Sequence, residues 1–235
     1  MLNNNWIALA ITFILAIAWL RLMDFFAHRG LISNRLSRKI IHMGTGPIYV
    51  MCWVLFTDSP EARYLAALVP GLITIQFILV GLGIMKDEAA VQAMSRSGNP
   101  REILRGPLYY GILFVLLTIL FWTDNPIGII ALMILSGGDG LADILGRRFG
   151  KRKLSWNQNK SWFGSLGMFI GGWLFSLAII LYFVAFSIFP TPFSVYILPI
   201  TIIALVCTIV ESLPIHDLDN ITIAAAAVIC GYLLF

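Results

Sequence analysis

The sequence predicts an all-α, polytopic membrane protein of one domain, residues 1–235, with about eight transmembrane helices. Two observations carry this. The chain is 59% apolar and only 12% charged, with a mean hydropathy of +0.89, more apolar surface than a soluble core needs. Its charges, moreover, are gathered between the apolar runs rather than within them.

The first span covers residues 5–23. No basic flank precedes it and no small-x-small cleavage site follows it, so it reads as an uncleaved helix. Further spans fall at 40–57, 64–85, 108–123, 126–138, 164–186, 193–210 and 221–235, the fifth cut short by a polar stretch. Gly167, Gly171 and Gly172, and later Ala224 to Ala227, give two spans small faces suited to close helix packing. Cys52, Cys207 and Cys230 sit in apolar runs without metal or disulfide spacing and read as small buried hydrophobes.

The basic residues alternate from loop to loop. Loop one carries Arg21, Arg29, Arg35, Arg38 and Lys39; loop three carries Lys86, Arg96, Arg101 and Arg105; loop five carries Arg147, Arg148, Lys151, Arg152, Lys153 and Lys160. The intervening loops hold Arg63 alone. The positive-inside rule then places loops one, three, five and seven, and with them the active site, at the cytoplasmic face, with both termini outside.

The polar stretch is Gly137–Ser165, GGDGLADILGRRFGKRKLSWNQNKSWFGS, with six of the sixteen Lys and Arg. Such an island between membrane-length runs is costly to keep unless it does chemistry. A helix starting near Asp139 sets Asp139 and Asp143 on one face, with Ala142, Gly146 and Gly150 on the same stripe. Two carboxylates at that spacing suit Mg²⁺, which shares oxygen ligands with substrate phosphates. Small residues let phosphate or backbone approach. Lys153, Lys160, Ser161 and Ser165 add cations and hydroxyls, and the helix starting near Gly164 offers an N-terminus to an anion. There is no GxxxxGK[ST] and no GxGxxG. Together these residues indicate a metal–nucleotide site at a membrane surface. A basic loop serving only as a topology signal explains neither the carboxylates nor the glycine spacing.

The pattern Asp139-x-x-Ala142-x-x-x-Gly146-x-x-x-Gly150, then Asn159-Lys160-Ser161-x-x-Gly164, resembles the CTP-binding motif of the dolichol kinase and phytol kinase family. Asn159, Ser161 and Phe163 depart from the dolichol kinase form, where Lys, Thr and an acid are usual. The GDGxAD, GRRFGKRKL and KSWxGS wording is similar to the phytol and farnesol kinase branch. Arg38-Lys39, His42 and Gly46 in loop one, Glu102-x-x-x-Gly-Pro-Leu-Tyr-Tyr in loop three, and Glu211-Ser-x-Pro with Asp219-Asn220 in loop seven extend the resemblance over about residues 35 to 225.

The resemblance implies a phosphotransferase that moves phosphate from CTP, with UTP as a second donor, to an isoprenoid alcohol, with a divalent metal as cofactor. Phytol to phytyl phosphate is the expected reaction, in chlorophyll-phytol salvage and tocopherol synthesis. Asp139 and Asp143, with Glu211 or Asp217, are expected to hold Mg²⁺. Arg38, Lys39, Gly140, Gly146, Gly150, Lys153, Ser161, Gly164 and Ser165 are expected around the nucleotide. Lys160 is expected on its phosphates, and His42 or a carboxylate is expected to accept the hydroxyl proton. Glu102, Arg105, Tyr109 and Asn220 are further candidates at the substrate side of the site; Arg105 suits a phosphate or a lipid headgroup, and Tyr109 and Tyr110 also suit an interfacial aromatic belt. The expected partners are the alcohol, a nucleoside triphosphate and the bilayer, with no nucleic acid. The membrane is expected to be the plasma or thylakoid membrane of a photosynthetic organism. The rivals are a CTP-dependent cytidylyltransferase of phospholipid synthesis and a transporter; a transporter should place its charges near the bilayer midplane.

Overall fold

The computed structural model describes residues 2, 4–95, 97–215 and 218–235, with the side chains of Asp24, Asn34, Arg35, Arg38 and Ala93 outside that description. Among the described residues every regular element is a helix, joined by turns and loops, with one isolated bridge between Lys153 and Ser161. In chain order the helices are α1 (Asn5–His28), α2 (Asn34–Met51), α3 (Ala62–Gly81), α4 (Glu88–Met94), α5 (Gly106–Phe121), α6 (Ile127–Met133), α7 (Asp139–Phe149), α8 (Trp162–Ala185), α9 (Ser194–Ser212) and α10 (Asp219–Leu234). Local chemistry sets several of the starts. The side chains of Asn4, Ser33, Asp87 and Ser161 each accept from a backbone N–H one turn into α1, α2, α4 and α8.

Among the described residues six helices are long and apolar enough to cross a membrane: Asn5–His28, Ala62–Gly81, Pro100–Phe121, Ile127–Phe149, Trp162–Ala185 and Ser194–Ser212. The expected spans at 40–57 and 221–235 are helical but fall outside this set. α10 has only 16 residues. α2 begins Asn-Arg-Leu-Ser-Arg-Lys, so its first half is too polar. The expected fifth span does not stop at residue 138. It continues through a π-helical turn, Ile134–Gly138, into α7.

That helix, Ile127–Phe149, is the axis of the molecule. Every residue from Pro126 to Gly138 is buried, and α2, α5, α8 and α10 pack around it. In lipid the hydrophobic effect gives helices little reason to associate, so close packing of small residues has to do so. The contact between this helix and α8 is built that way. A Cβ on Gly171 would overlap the Gly137 carbonyl oxygen, and one on Gly167 would come within 2.6 Å of the Leu141 carbonyl oxygen. At the opposite end from α7, Trp53 stacks on Trp122 at 4.7 Å, and Arg63 pairs with Asp124 at 2.9 Å.

Gly171→Leu should therefore force two backbones apart. We expect a loss of about 1–3 kcal/mol, the usual cost of overpacking a tight contact, read as a lowered Tm in detergent. Gly71→Ala, whose new methyl would meet only Val115 at 3.9 Å, should leave Tm unchanged or slightly raised.

Candidate active site

The four loops that carry the chain's polar residues meet at one end of the bundle. They enclose a cleft of about 670 Å³, within the range of small-molecule sites. Its cations are Lys39, Arg105, Arg147, Lys153 and Lys160; its carboxylates are Glu102, Asp139, Asp143, Glu211 and Asp219.

The first cluster joins α2 to α7. Asp139 and Asp143 lie one helical turn apart, and both reach Lys39, whose Nζ is 3.8 Å from Asp139 Oδ2 and 3.5 Å from Asp143 Oδ2. Asp143 also binds Arg147, one turn on. One ammonium therefore sits between the two carboxylates, where a single metal cation would also be shared. Mg²⁺ asks for one or two carboxylates with the rest from water and phosphate, so this pair fits it. Among the described residues no group of three or more His, Cys, Asp or Glu converges as a metal site. Glu211 is engaged instead by Lys160, and Asp217 lies outside the described residues.

The second cluster depends on the segment between α7 and α8. Residues 151–161 fold back on themselves: Leu154 N–H donates to the Lys160 carbonyl and Trp162 N–H to the Arg152 carbonyl. Leu154 is fully buried and anchors the turn. Asn157 then donates to the carbonyls of Ser212 and Leu213, at 3.2 and 3.1 Å, and Trp156 donates to Ser212 Oγ. These bonds tie the loop to the end of α9 and bring Lys160 onto Glu211. Burial alone would pull the Lys160 ammonium down. The charge and hydrogen bond of Glu211, with Asp219 and Asp139 farther off, hold it above the ordinary lysine value. Lys160 therefore stays charged through neutral pH.

The third group stands at the cleft's edge. His42, on α2, has a buried Nε2 without a hydrogen-bond partner among the described residues, 3.6 Å from Asp139 Oδ2. Its ring lies 4.3 Å from that of Tyr110, whose hydroxyl bonds Ser136 in the π turn at 2.9 Å. π turns inserted in helices frequently mark functional sites.

The expected residues sort by position. Lys39, Glu102, Arg105, Asp139, Asp143, Gly146, Gly150, Lys153, Lys160, Ser161, Gly164 and Glu211 all line the cleft. Asn220 donates to the Gly106 carbonyl and lines a neighbouring apolar groove. Gly140 packs instead against Met43 of α2. Ser165 Oγ is buried away from the cleft, and Tyr109 lines neither cavity. The side chain of Arg38 lies outside the described residues. The glycines also serve a purpose beyond phosphate approach. Gly146, Gly150 and Gly164 surround the Ser161 hydroxyl, where any Cβ would press on it, so they let α7 meet the start of α8. Sequence reasoning missed Asn157, Arg147 and Tyr110. Arg147 was legible as a partner four residues after Asp143, whereas Asn157 carries no local signal.

No family model matches the chain, and no solved structure matches it. Curated relatives do. A probable phytol kinase 1 of Oryza sativa subsp. japonica is 43% identical over 222 residues, covering 94% of this chain and 71% of the relative. A farnesol kinase of Arabidopsis thaliana is 40% identical over 230 residues, covering 97% and 75%. A phytol kinase 1 of the same plant is 37% identical over 209 residues, covering 88% and 69%. All three are named as chloroplastic. With that identity over nearly its whole length, the chain belongs to the family of phytol and farnesol kinases.

Proposed function

We propose that the chain is a prenol kinase that transfers the γ-phosphoryl group of CTP to the hydroxyl of an isoprenoid alcohol, with phytol or farnesol as substrate. The relatives' activities support the acceptor class, and the nucleotide motif supports CTP. One observation carries the reading: a charged cleft and an apolar groove share Lys39 and Asp139, so a water-soluble donor and a lipid acceptor can meet. We place the site at the cytoplasmic or stromal side of a plastid membrane, with loops one, three, five and seven on that side and α2 and α10 as the two shorter members of an eight-helix set.

Phosphoryl transfer asks the protein mainly for alignment and charge stabilisation. Lys160, Lys39 and Lys153 meet the phosphates. Ser161 lends them its hydroxyl hydrogen, and the start of α8 the positive end of its dipole. Asp139 and Asp143 would hold the metal, with Glu211 or Asp217 as further candidates. Bound there, Mg²⁺ would supply positive charge against the phosphates. His42 Nε2 accepts the proton of the alcohol as its oxygen forms the new bond to the γ-phosphorus, while the bond from that phosphorus to the β–γ bridging oxygen breaks and CDP leaves. The imidazolium formed is steadied by Asp139, 3.6 Å away.

Purified protein in detergent, given farnesol, Mg²⁺ and γ-labelled CTP, should place the label on the lipid. Label released as pyrophosphate would make it a cytidylyltransferase instead. Asp139→Asn and Lys160→Met should each lower kcat by about 10²–10³-fold, the usual cost of one electrostatic stabiliser, while the protein still inserts and purifies. His42→Gln should lower kcat by about 10²–10⁴-fold with little change in KM for CTP, as for a lost general base. Near-normal turnover in any of the three would remove that residue from its role.

A further inference from the structure

Beside the polar cleft lies a second cavity of about 250 Å³, walled by α1, α2, α3 and α5 and predominantly apolar. Resting on the prenol kinase reading, we infer that this groove grips the hydroxyl-proximal part of the isoprenoid tail and releases the remainder sideways into the bilayer between α1 and α3.

Three observations lead there. The groove opens into the cleft at Lys39 and Asp139, and His42 stands at that junction, so an alcohol lying in the groove brings its hydroxyl to the proposed base. Its far end is closed. Tyr49 bonds the Thr118 hydroxyl at 3.0 Å and packs its ring on Phe114, and both belong to the buried core. Tyr49 follows His42 by seven residues on α2, about 10 Å of helical rise. That depth suits the first units of a prenol and is too short for a whole phytyl chain. The rest of the tail needs an exit, and one side of the groove is open. Leu20 on α1 and Ile73 on α3 line it yet are only half-buried, and their neighbours Ile17 and Leu72 are 53% and 52% exposed. The second half of α1 is held to α2 by Trp19, whose indole lies over Gly44, and by Ser37 Oγ donating to the Met23 carbonyl. A groove that grips the first units and vents the others recognises an allylic or near-allylic head group without measuring tail length.

Thr45 lines the middle of this groove, on α2 one turn past the junction. Thr45→Phe should raise KM for farnesol at least tenfold and leave KM for CTP within twofold. An unchanged farnesol KM in folded protein overturns the proposal. On the wild-type protein, a farnesol analogue with a photoreactive diazirine in its first isoprene unit should label the groove walls on α1, α2, α3 or α5, at residues such as Thr45, Ile73 or Phe114; label confined to helices other than these four overturns it, whether or not the variant folds. Wild-type kcat/KM for farnesol and phytol should agree within about tenfold, and a steeper fall with tail length overturns the sideways exit. The two readings fail separately. Groove labelling without phosphoryl transfer to any prenol keeps the groove and removes the kinase; turnover with label elsewhere does the reverse.

Discussion

The site exists because two helix backbones touch. The π turn and α7 meet α8 through Gly137, Gly167 and Gly171, and the approach continues upward through Gly146, Gly150 and Gly164 around the Ser161 hydroxyl. Larger residues along this seam would hold the helices apart by a side-chain layer. The face carrying Asp139 and Asp143 would then no longer share a cleft with Ser161 and Lys160. In lipid, where apolar side chains gain little by meeting one another, such small-residue contacts set which helices pair. The glycine pattern that reads as a phosphate cradle is thus first a packing device, and the cleft is its consequence.

The charges are balanced in place. Carboxylates at the end of a membrane bundle are costly unless paired, and these are paired with cations from distant parts of the chain: Lys39 with Asp139 and Asp143, Lys160 with Glu211. On the proposed function the same pairs are the resting form of the site. A triphosphate offers the lysines a stronger partner and leaves the aspartates to a metal. Binding then exchanges ion pairs rather than stripping bare charges from water, which lowers its desolvation cost.

Much of this was legible beforehand. The sorting of basic residues into alternate loops anticipated that those loops would gather at one end. The spacing of Asp139 and Asp143 anticipated one helical face carrying both, as α7 does, although that helix continues from the fifth span. What stayed hidden was non-local. The Asn157 tie to the end of α9 joins residues more than fifty apart, and nothing near Asn157 announces it. The π turn escaped because periodicity cannot show one extra residue per turn inside an apolar run. A count of oxygen-bearing side chains in loop seven also could not foresee that Lys160 would pair with Glu211, one of the two candidates to join Asp139 and Asp143 on a metal.

α2 shows why the expected spans and the site could not both be read in simple form. Its sequence runs from Asn-Arg-Leu-Ser-Arg-Lys through His42 and Thr45 to Tyr49, Val50 and Met51, polar at one end and apolar at the other. A helix graded along its length is apolar enough for lipid over only part of it. The same gradient is what a reaction between a charged nucleotide and a lipid alcohol requires. Lys39 faces the cleft, Thr45 and Gly46 line the groove, and His42 lies between them. One helix thus spans the boundary between two solvents, and the group proposed to move the proton stands at the crossing.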